Sequence, residues 1–183
     1  MFEDMSREDF NNTFMVNTTA TYFTMLAFLE LLDAGNKAAV AGGFGKPFKE
    51  GSDVLSIQSQ VLVTPSVGAF LREWMCAPAY AGSKAAIIHI VKYAPPGLAA
   101  HGIRLNALAP GWFPSEMSGD YMATRDPGSK KAEDPGFIPA RRCGSEEEMG
   151  GTVVYLAGRA GSFNNGMVLL NDGGRLGVTS GTY

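Results

Sequence analysis

The sequence has few of the residues that cross-link a small protein or hold a metal ion. Its 183 residues include two cysteines, Cys76 and Cys143, and two histidines, His89 and His101. Two cysteines without metal-type spacing make neither a disulfide framework nor a structural zinc site, and they favour free thiols in a reducing compartment. The composition therefore predicts an intracellular protein, and we expect it in the cytoplasm and without a metal centre.

Long hydrophobic runs and blocks of like charge are also missing. The apolar stretches are too short to span a bilayer, and the opening "MFEDMSREDF" is acidic and polar, unlike a secretory signal. The net charge of −3 includes no long run of one sign, which argues against binding to nucleic acid or to an anionic membrane. What is present is 45% apolar residues, enough for the core of one globular domain over residues 1–183.

Helix and strand patterns alternate along the chain. Capping residues, apolar periodicity and breaker residues mark each boundary, among them Gly35 as a helix C-cap and the pair Ser145 and Glu148 as a capping box. The predicted elements are a helix over 6–33, a long connection over 36–58, a buried strand over 60–66, a helix over 78–94, a strand within 102–111, a partly mobile flap over 112–143, a helix from 145 and a strand within 167–174. This alternation predicts an α/β fold with a parallel sheet of three strands and flanking helices.

Polar residues follow the strand ends, where the working groups of parallel sheets gather. Ser66 ends the first predicted strand, Tyr80 begins the next helix, and Pro110 with Gly111 follows the second strand. We expect these three positions to border one crevice. Lys84 lies four residues after Tyr80, on the same helix face, and an ammonium beside a phenol favours the phenolate form. Such a phenol is suited to passing a proton near neutral pH.

Five segments together resemble the classical short-chain dehydrogenase/reductase family. They occur in the family's order and run through nearly the whole chain, with the connection at 36–58 poorly covered: "VNTTATYF", "VTPSVGAF", "YAGSK", "IRLNALAPGWFPS" and "LLNDGG". The resemblance implies a Rossmann-like, doubly wound sheet. It also implies an NAD or NADP cofactor, and a small-molecule alcohol or carbonyl as the substrate.

The resemblance also implies a role for each matching residue. Tyr80 would be the general acid/base, and Lys84 would lower its pKa and hold the ribose of the cofactor. Ser66 would hydrogen-bond the substrate oxygen, and Asn17 would hold a water that links the lysine to solvent. Three further residues, Pro110, Gly111 and Ser115, would form the wall beside the cofactor. Ser115 stands where the family usually has a threonine. The flap at 112–143 would select the substrate.

Two features depart from the family pattern. The glycine-rich turn that receives the cofactor pyrophosphate has no counterpart, since "AGGFGKPF" has the wrong spacing and no preceding strand. The chain therefore resembles the carboxyl-terminal portion of the family's domain, without the cofactor's adenosine-binding half. Pro65 also stands where the family has a small polar residue, and it removes a backbone donor.

Two other functions fit parts of the sequence. A non-catalytic binding or assembly module would use the surfaces of the helices at 6–33 and 78–94, through which family members pair, and these helices predict a homo-oligomer in either case. A flavodoxin-like binding protein would share the α/β pattern but would leave the set Ser66, Tyr80 and Lys84 unexplained. An oxidoreductase that interconverts an alcohol and a carbonyl accounts for all three residues.

Overall fold

The computed structural model describes residues 5–73, 76–116, 118–119, 126–134 and 136–182. Its centre is a parallel sheet of three strands in the order β1-β2-β3. The strands are β1 (Gln60–Val63), β2 (Arg104–Pro110) and β3 (Val168–Asn171). Gln60 lies opposite Arg104, and Ala107 lies opposite Val168, so β2 pairs on both sides. The predicted three-stranded parallel α/β fold is confirmed.

In the described residues, seven α- or π-helical elements flank this sheet. They are α1 (Arg7–Phe14), a π-helix (Met15–Ala20), α2 (Thr21–Ala27), α3 (Leu29–Val40), α4 (Pro78–Tyr93), α5 (Pro95–Leu98) and α6 (Glu146–Ala157). Short 3-10 turns complete several of the connections. None of the helices in the described part of the chain is long and apolar enough to cross a membrane.

The core forms on both faces of β2. Leu105 and Ala107 are fully buried and face an apolar cluster that α2, α4 and α5 complete. The other members of this cluster are Met25, Val63, Ile87, Val91, Leu98 and Ile103. On the opposite face, the buried Arg104 side chain donates to the carbonyl oxygens of Gly161 and Asn164, just after α6. Helical structure thus covers the sheet on two sides, as the doubly wound interpretation requires.

The first helical segment differs from its prediction. The structure contains three α-helices and a π-helix between Arg7 and Val40, and Gly35 lies inside α3, so its prediction as the C-cap is wrong. A β-carbon at Gly35 would lie 3.0 Å from Ser59 Oγ, so the glycine allows the helix to approach the connection closely. The helix ends after Val40, before Gly42 with φ +106°.

The connection and the first strand are also shorter than predicted. The connection starts at residue 41, because α3 extends to Val40, and it contains an antiparallel bridge between Pro47 and Leu55. Strand β1 ends at Val63, which is its one fully buried residue, whereas a buried strand over 60–66 was expected. Pro65 lacks the amide that a longer ladder would need, and this explains the early end.

Other boundaries agree with the sequence. Helix α4 begins at Pro78 and ends at Tyr93, and Pro95 then starts the separate helix α5. The capping box of α6 is complete, because the Ser145 side chain accepts from the Glu148 amide and the Glu148 carboxylate accepts from the Ser145 amide. The flap at 112–143 stays a prediction, since Met117, residues 120–125 and Pro135 lie outside the described residues.

Candidate functional site

Ser66 begins a 3-10 turn directly beyond the carboxyl end of β1. Its backbone is extended, with φ −167° and ψ 154°, and it caps the turn Val67–Ala69. The hydroxyl accepts a hydrogen bond from the Gly68 amide at 3.1 Å. Because this bond occupies a lone pair of the oxygen, the hydroxyl proton can be donated to another acceptor. The serine is therefore held in place and keeps its donor capacity.

Tyr80 lies in the first turn of α4 and shares a small space with Ser66. The position that a β-carbon on Gly68 would occupy is 3.3 Å from Ser66 Oγ and 3.5 Å from Tyr80 Cε1. The same point lies 2.9 Å from the thiol sulfur of Cys76. A side chain at Gly68 would fill this space, so glycine allows the hydroxyl and the phenol ring to approach each other.

Lys84 places a cation beside the phenol ring. Its Nζ lies 5.7 Å from the centroid of the Tyr80 ring and donates to the Thr64 carbonyl oxygen at 3.1 Å. Burial lowers the pKa of the Lys84 ammonium below its ordinary value. A partly desolvated ammonium interacts more strongly with a neighbouring negative charge than one in bulk water. The arrangement places a partly buried cation next to the phenol ring.

Asn17 approaches α4 from the other side. It belongs to the π-helix, and its amide nitrogen donates to Ser83 Oγ at 3.0 Å. The Ser83 hydroxyl in turn donates to the Tyr80 carbonyl oxygen at 2.9 Å. The asparagine side chain is thus joined to the residue next to Lys84, while its predicted role in holding a water stays a prediction.

Pro110 and Gly111, two residues of the predicted cofactor wall, lie where β2 and β3 end. The Gly111 amide donates to the Asn171 carbonyl oxygen at 2.8 Å, and a β-carbon at Gly111 would lie 2.8 Å from Asp172 Cα. Pro110 lies opposite Asn171 in the ladder. Ser115 is exposed, and its hydroxyl lies 2.9 Å from that of Ser118. The structure thus places Pro110 and Gly111 against β3, and Ser115 in its own turn.

Trp112 and Phe113 continue this wall. They line a small cavity of about 60 Å³ together with Arg142, Glu148 and Asp172. Two hydrogen bonds of 2.7 and 2.6 Å join the Arg142 guanidinium to the Glu148 carboxylate. The cavity is too small for a drug-sized ligand, for which several hundred Å³ is usual.

Sequence reasoning missed three contributors to this site. Gly68 and Cys76 border the space between Ser66 and Tyr80, and Ser83 joins α4 to the π-helix. Burial raises the pKa of the Cys76 thiol, and the Arg175 guanidinium acts in the opposite direction to a smaller extent. Of these three residues, only Ser83 could have been suspected from the sequence, because it lies three residues after Tyr80 and so falls on the same helix face. In the described part of the chain, no group of three or more acidic, histidine or cysteine side chains could hold a metal ion.

Comparisons with known proteins find relatives over all or nearly all of the chain. A family model described as "Enoyl-(Acyl carrier protein) reductase" matches residues 41–175. The "Short-chain dehydrogenase/reductase SAT3" of Stachybotrys chartarum is 58% identical over 183 residues, which is all of this chain and 67% of that protein. The gluconate 5-dehydrogenase of Gluconobacter oxydans is 31% identical over 172 residues, covering 94% of this chain and 57% of that one.

Solved structures show the same architecture. The Pseudomonas aeruginosa RhlG/NADP complex matches with a TM-score of 0.72 and 26% identity, over 95% of this chain and 60% of that one. A putative 2-deoxy-D-gluconate 3-dehydrogenase from Agrobacterium tumefaciens with bound NADP matches with a TM-score of 0.71 and 26% identity, over 95% and 61%. The chain thus spans 60% and 61% of the lengths of these two structural relatives.

Proposed function

Because the chain belongs to the short-chain dehydrogenase/reductase family, we propose that it carries the catalytic portion of an NAD(P)-dependent oxidoreductase that interconverts an alcohol and a carbonyl. The observation that supports this best is the convergence of Ser66 and Tyr80 on the space beside Gly68, with Lys84 next to the phenol ring. A hydroxyl, a phenol and an ammonium from separate segments form a donor set that suits a reacting carbonyl oxygen.

Tyr80 is the general acid/base of the proposed reaction. In the reducing direction its hydroxyl donates a proton to the carbonyl oxygen as that oxygen becomes an alcohol, and in the oxidising direction the phenol oxygen accepts the proton. The Lys84 ammonium stabilises the negative charge that the phenol oxygen carries after donation. The Thr64 carbonyl holds the ammonium at 3.1 Å and so limits its movement.

Ser66 binds and polarises the same substrate oxygen. Its oxygen accepts from the Gly68 amide, and its hydroxyl proton would be donated to the substrate oxygen. A fixed donor of this kind stabilises charge that develops on the oxygen in the transition state.

The donor set and the residues of the predicted cofactor wall also fit a nicotinamide cofactor. Tyr80 and Lys84 would bind ribose hydroxyls, while Pro110, Gly111 and Ser115 would form the wall beside the nicotinamide. The absence of a side chain at Gly111 lets the chain pass close to Asp172, whose Cα a β-carbon would meet at 2.8 Å. The bound cofactor, NAD or NADP, supplies or receives the hydride. Asn17 would hold a water for proton exchange between Lys84 and solvent.

The proposed substrate is a small alcohol or carbonyl compound, selected by the flap at 112–143. Gluconate 5-dehydrogenase and 2-dehydro-3-deoxy-D-gluconate 5-dehydrogenase among the relatives make hydroxylated sugar acids the first compounds to test.

The proposed homo-oligomer would form through the helices of 6–33 and 78–94. In the first of these segments, Val16, Phe23 and Leu31 are more than 60% exposed.

The substitution Tyr80→Phe tests the proposed chemistry. It removes the acid/base oxygen and keeps the ring, so we expect carbonyl reduction to be lost while NADH or NADPH binding, followed by nicotinamide fluorescence, stays largely intact. Tyr93→Phe is the matched control, because Tyr93 lies on the same helix and is 78% exposed. Equal turnover of Tyr80→Phe and the unsubstituted chain would exclude Tyr80 as the acid/base.

A second candidate is a non-catalytic assembly module. The exposed apolar side chains of α2 and α3 favour association even where chemistry is lacking. Failure of the unsubstituted chain to bind NADH or NADPH at millimolar concentration, together with concentration-dependent assembly, would favour this function over the enzyme.

A further inference from the structure

Ser83 joins two parts of the molecule through one buried hydroxyl. The residue is 0% exposed and lies in the second turn of α4, one position before Lys84. Its Oγ donates to the Tyr80 carbonyl oxygen at 2.9 Å and accepts from Asn17 Nδ2 at 3.0 Å. Both capacities of the hydroxyl are therefore used, as expected of a polar group removed from water.

A second bond reaches the same residue from the π-helix. Thr18 Oγ1 donates to the Ser83 carbonyl oxygen at 3.0 Å. Asn17 and Thr18 both belong to the π-helix, and both bond to Ser83, one to its hydroxyl and the other to its carbonyl oxygen. Single π-turns inside α-helical segments are frequently found at functional sites. The irregular turn in the first helical segment thus matches a specific contact on α4.

Helix α4 is consequently held from two directions. On one side the Lys84 ammonium is bound to Thr64 at the exit of β1, and on the other side Ser83 is bound to the π-helix. We infer that Ser83 is a positioning residue, which sets where the Tyr80 ring and the Lys84 ammonium stand relative to Ser66. The importance of Ser83 for turnover rests on the proposed function. Its hydrogen bonds to α4 and to the π-helix do not depend on a bound substrate or cofactor.

The deciding experiment uses Ser83→Ala and Thr18→Val and follows the titration of the Lys84 side chain by carbon-13 NMR, with its signal assigned by its loss in Lys84→Arg. Each substitution removes bonds that hold α4 and leaves Lys84 itself unchanged. We expect α4 to loosen, water to reach the ammonium and the titration midpoint to rise toward the ordinary lysine value of about 10.4. The shift should be larger for Ser83→Ala, which removes the bond to Asn17 and also a bond within α4, than for Thr18→Val, which removes one bond between the two helices.

The matched control is Ser162→Ala. It removes a hydroxyl bond of 2.8 Å to the Arg159 carbonyl, which has the same spacing of three residues but lies on the surface outside the site. In Ser162→Ala, the titration midpoint of the Lys84 side chain should be unchanged. Unchanged midpoints in folded Ser83→Ala and Thr18→Val would overturn the inference, and if Ser83→Ala does not fold, Thr18→Val decides alone.

Turnover adds a separate measurement. Where the unsubstituted chain reduces a carbonyl, Ser83→Ala should lower kcat by on the order of tenfold and leave KM unchanged, because misplaced reacting groups slow chemistry more than they weaken binding. Failure of the proposed function would instead appear as missing cofactor binding or turnover in the unsubstituted chain. The Lys84 titration would still be measurable in that case, so the two failures are distinguishable.

Discussion

At the scale of single residues, the site depends on close approach as much as on reactive groups. Tyr80 and Lys84 could be selected from the sequence because their spacing of four positions is a local property of a helix. Gly68 and Ser83 could not be assigned in the same way, since their importance comes from partners that only the folded chain brings near. In this chain, the residues that hold the proposed catalytic side chains in place are harder to identify from the sequence than those side chains themselves.

Gly68→Ala tests the close approach. The added methyl group would lie 2.9 Å from Cys76 Sγ and 3.3 Å from Ser66 Oγ, so one of these atoms must move. We expect the free energy of unfolding, measured by urea denaturation, to fall by about 1–3 kcal/mol, and carbonyl reduction to fall with it.

Gly97→Ala is the control for this substitution, because a β-carbon there would meet nothing within 4 Å. The double substitution Gly68→Ala/Cys76→Ala removes the closest contact and should recover part of the loss. A Gly68→Ala chain as stable and active as the unsubstituted one would show that the space beside Ser66 is wider than described.

At the scale of elements, helix starts were more predictable than helix ends. The capping box at Ser145 and Glu148 is a local arrangement of neighbouring residues, and it was predicted correctly. The end of α3 was missed because a glycine inside a helix is tolerated where tertiary contacts favour it, and the contact of Gly35 with Ser59 spans distant positions. The π-helix had no recognisable sequence pattern at all.

Glu148 makes the start of α6 sensitive to acid. Hydrogen bonds from the Arg142 guanidinium, and then from the Ser145 amide, lower the pKa of the Glu148 carboxyl to about 2. Because an unfolded glutamate has a pKa of about 4.3, the carboxylate stabilises the folded chain fully above that pH, and this contribution is lost as the pH falls through about 2.

Glu148→Gln tests this pH dependence. The Tm of the unsubstituted chain should exceed that of Glu148→Gln at pH 7, and the difference should narrow as the pH is lowered from about 4.3 toward about 2. Glu146→Gln, which removes a carboxylate from the same helical turn, serves as the control and should show a smaller pH-dependent difference. A Tm difference independent of pH would contradict the proposed link to the Glu148 charge.

At the scale of the whole molecule, the first helices carry large apolar side chains that the described part of the chain leaves exposed. Phe23 and Leu31 are 61% and 66% exposed on α2 and α3. The class of fold followed from alternating patterns along the chain, but the sequence could not show which helix faces stay exposed. Exposure depends on how helices pack on the sheet, and this is a property of the complete assembly of elements.

Phe23→Asp tests association through this surface. Where the proposed homo-oligomer forms through this surface, a charge in its interface opposes assembly, so the mean molar mass measured by light scattering should fall toward that of one chain. Phe163→Asp is the matched control, because Phe163 is fully exposed outside these helices and should leave the mass unchanged. An unchanged oligomer in Phe23→Asp would exclude this face as the contact.

The hydrogen bond between Lys84 and the Thr64 carbonyl has a consequence for how the protein tolerates mutation. The acceptor is a main-chain atom, so replacing the threonine side chain does not delete it. The following residue, Pro65, restricts Thr64 to extended conformations and so restricts the direction of that carbonyl. Pro65 thereby helps to fix the direction of the Thr64 carbonyl, and substitutions at position 64 should be tolerated more readily than substitutions at position 65.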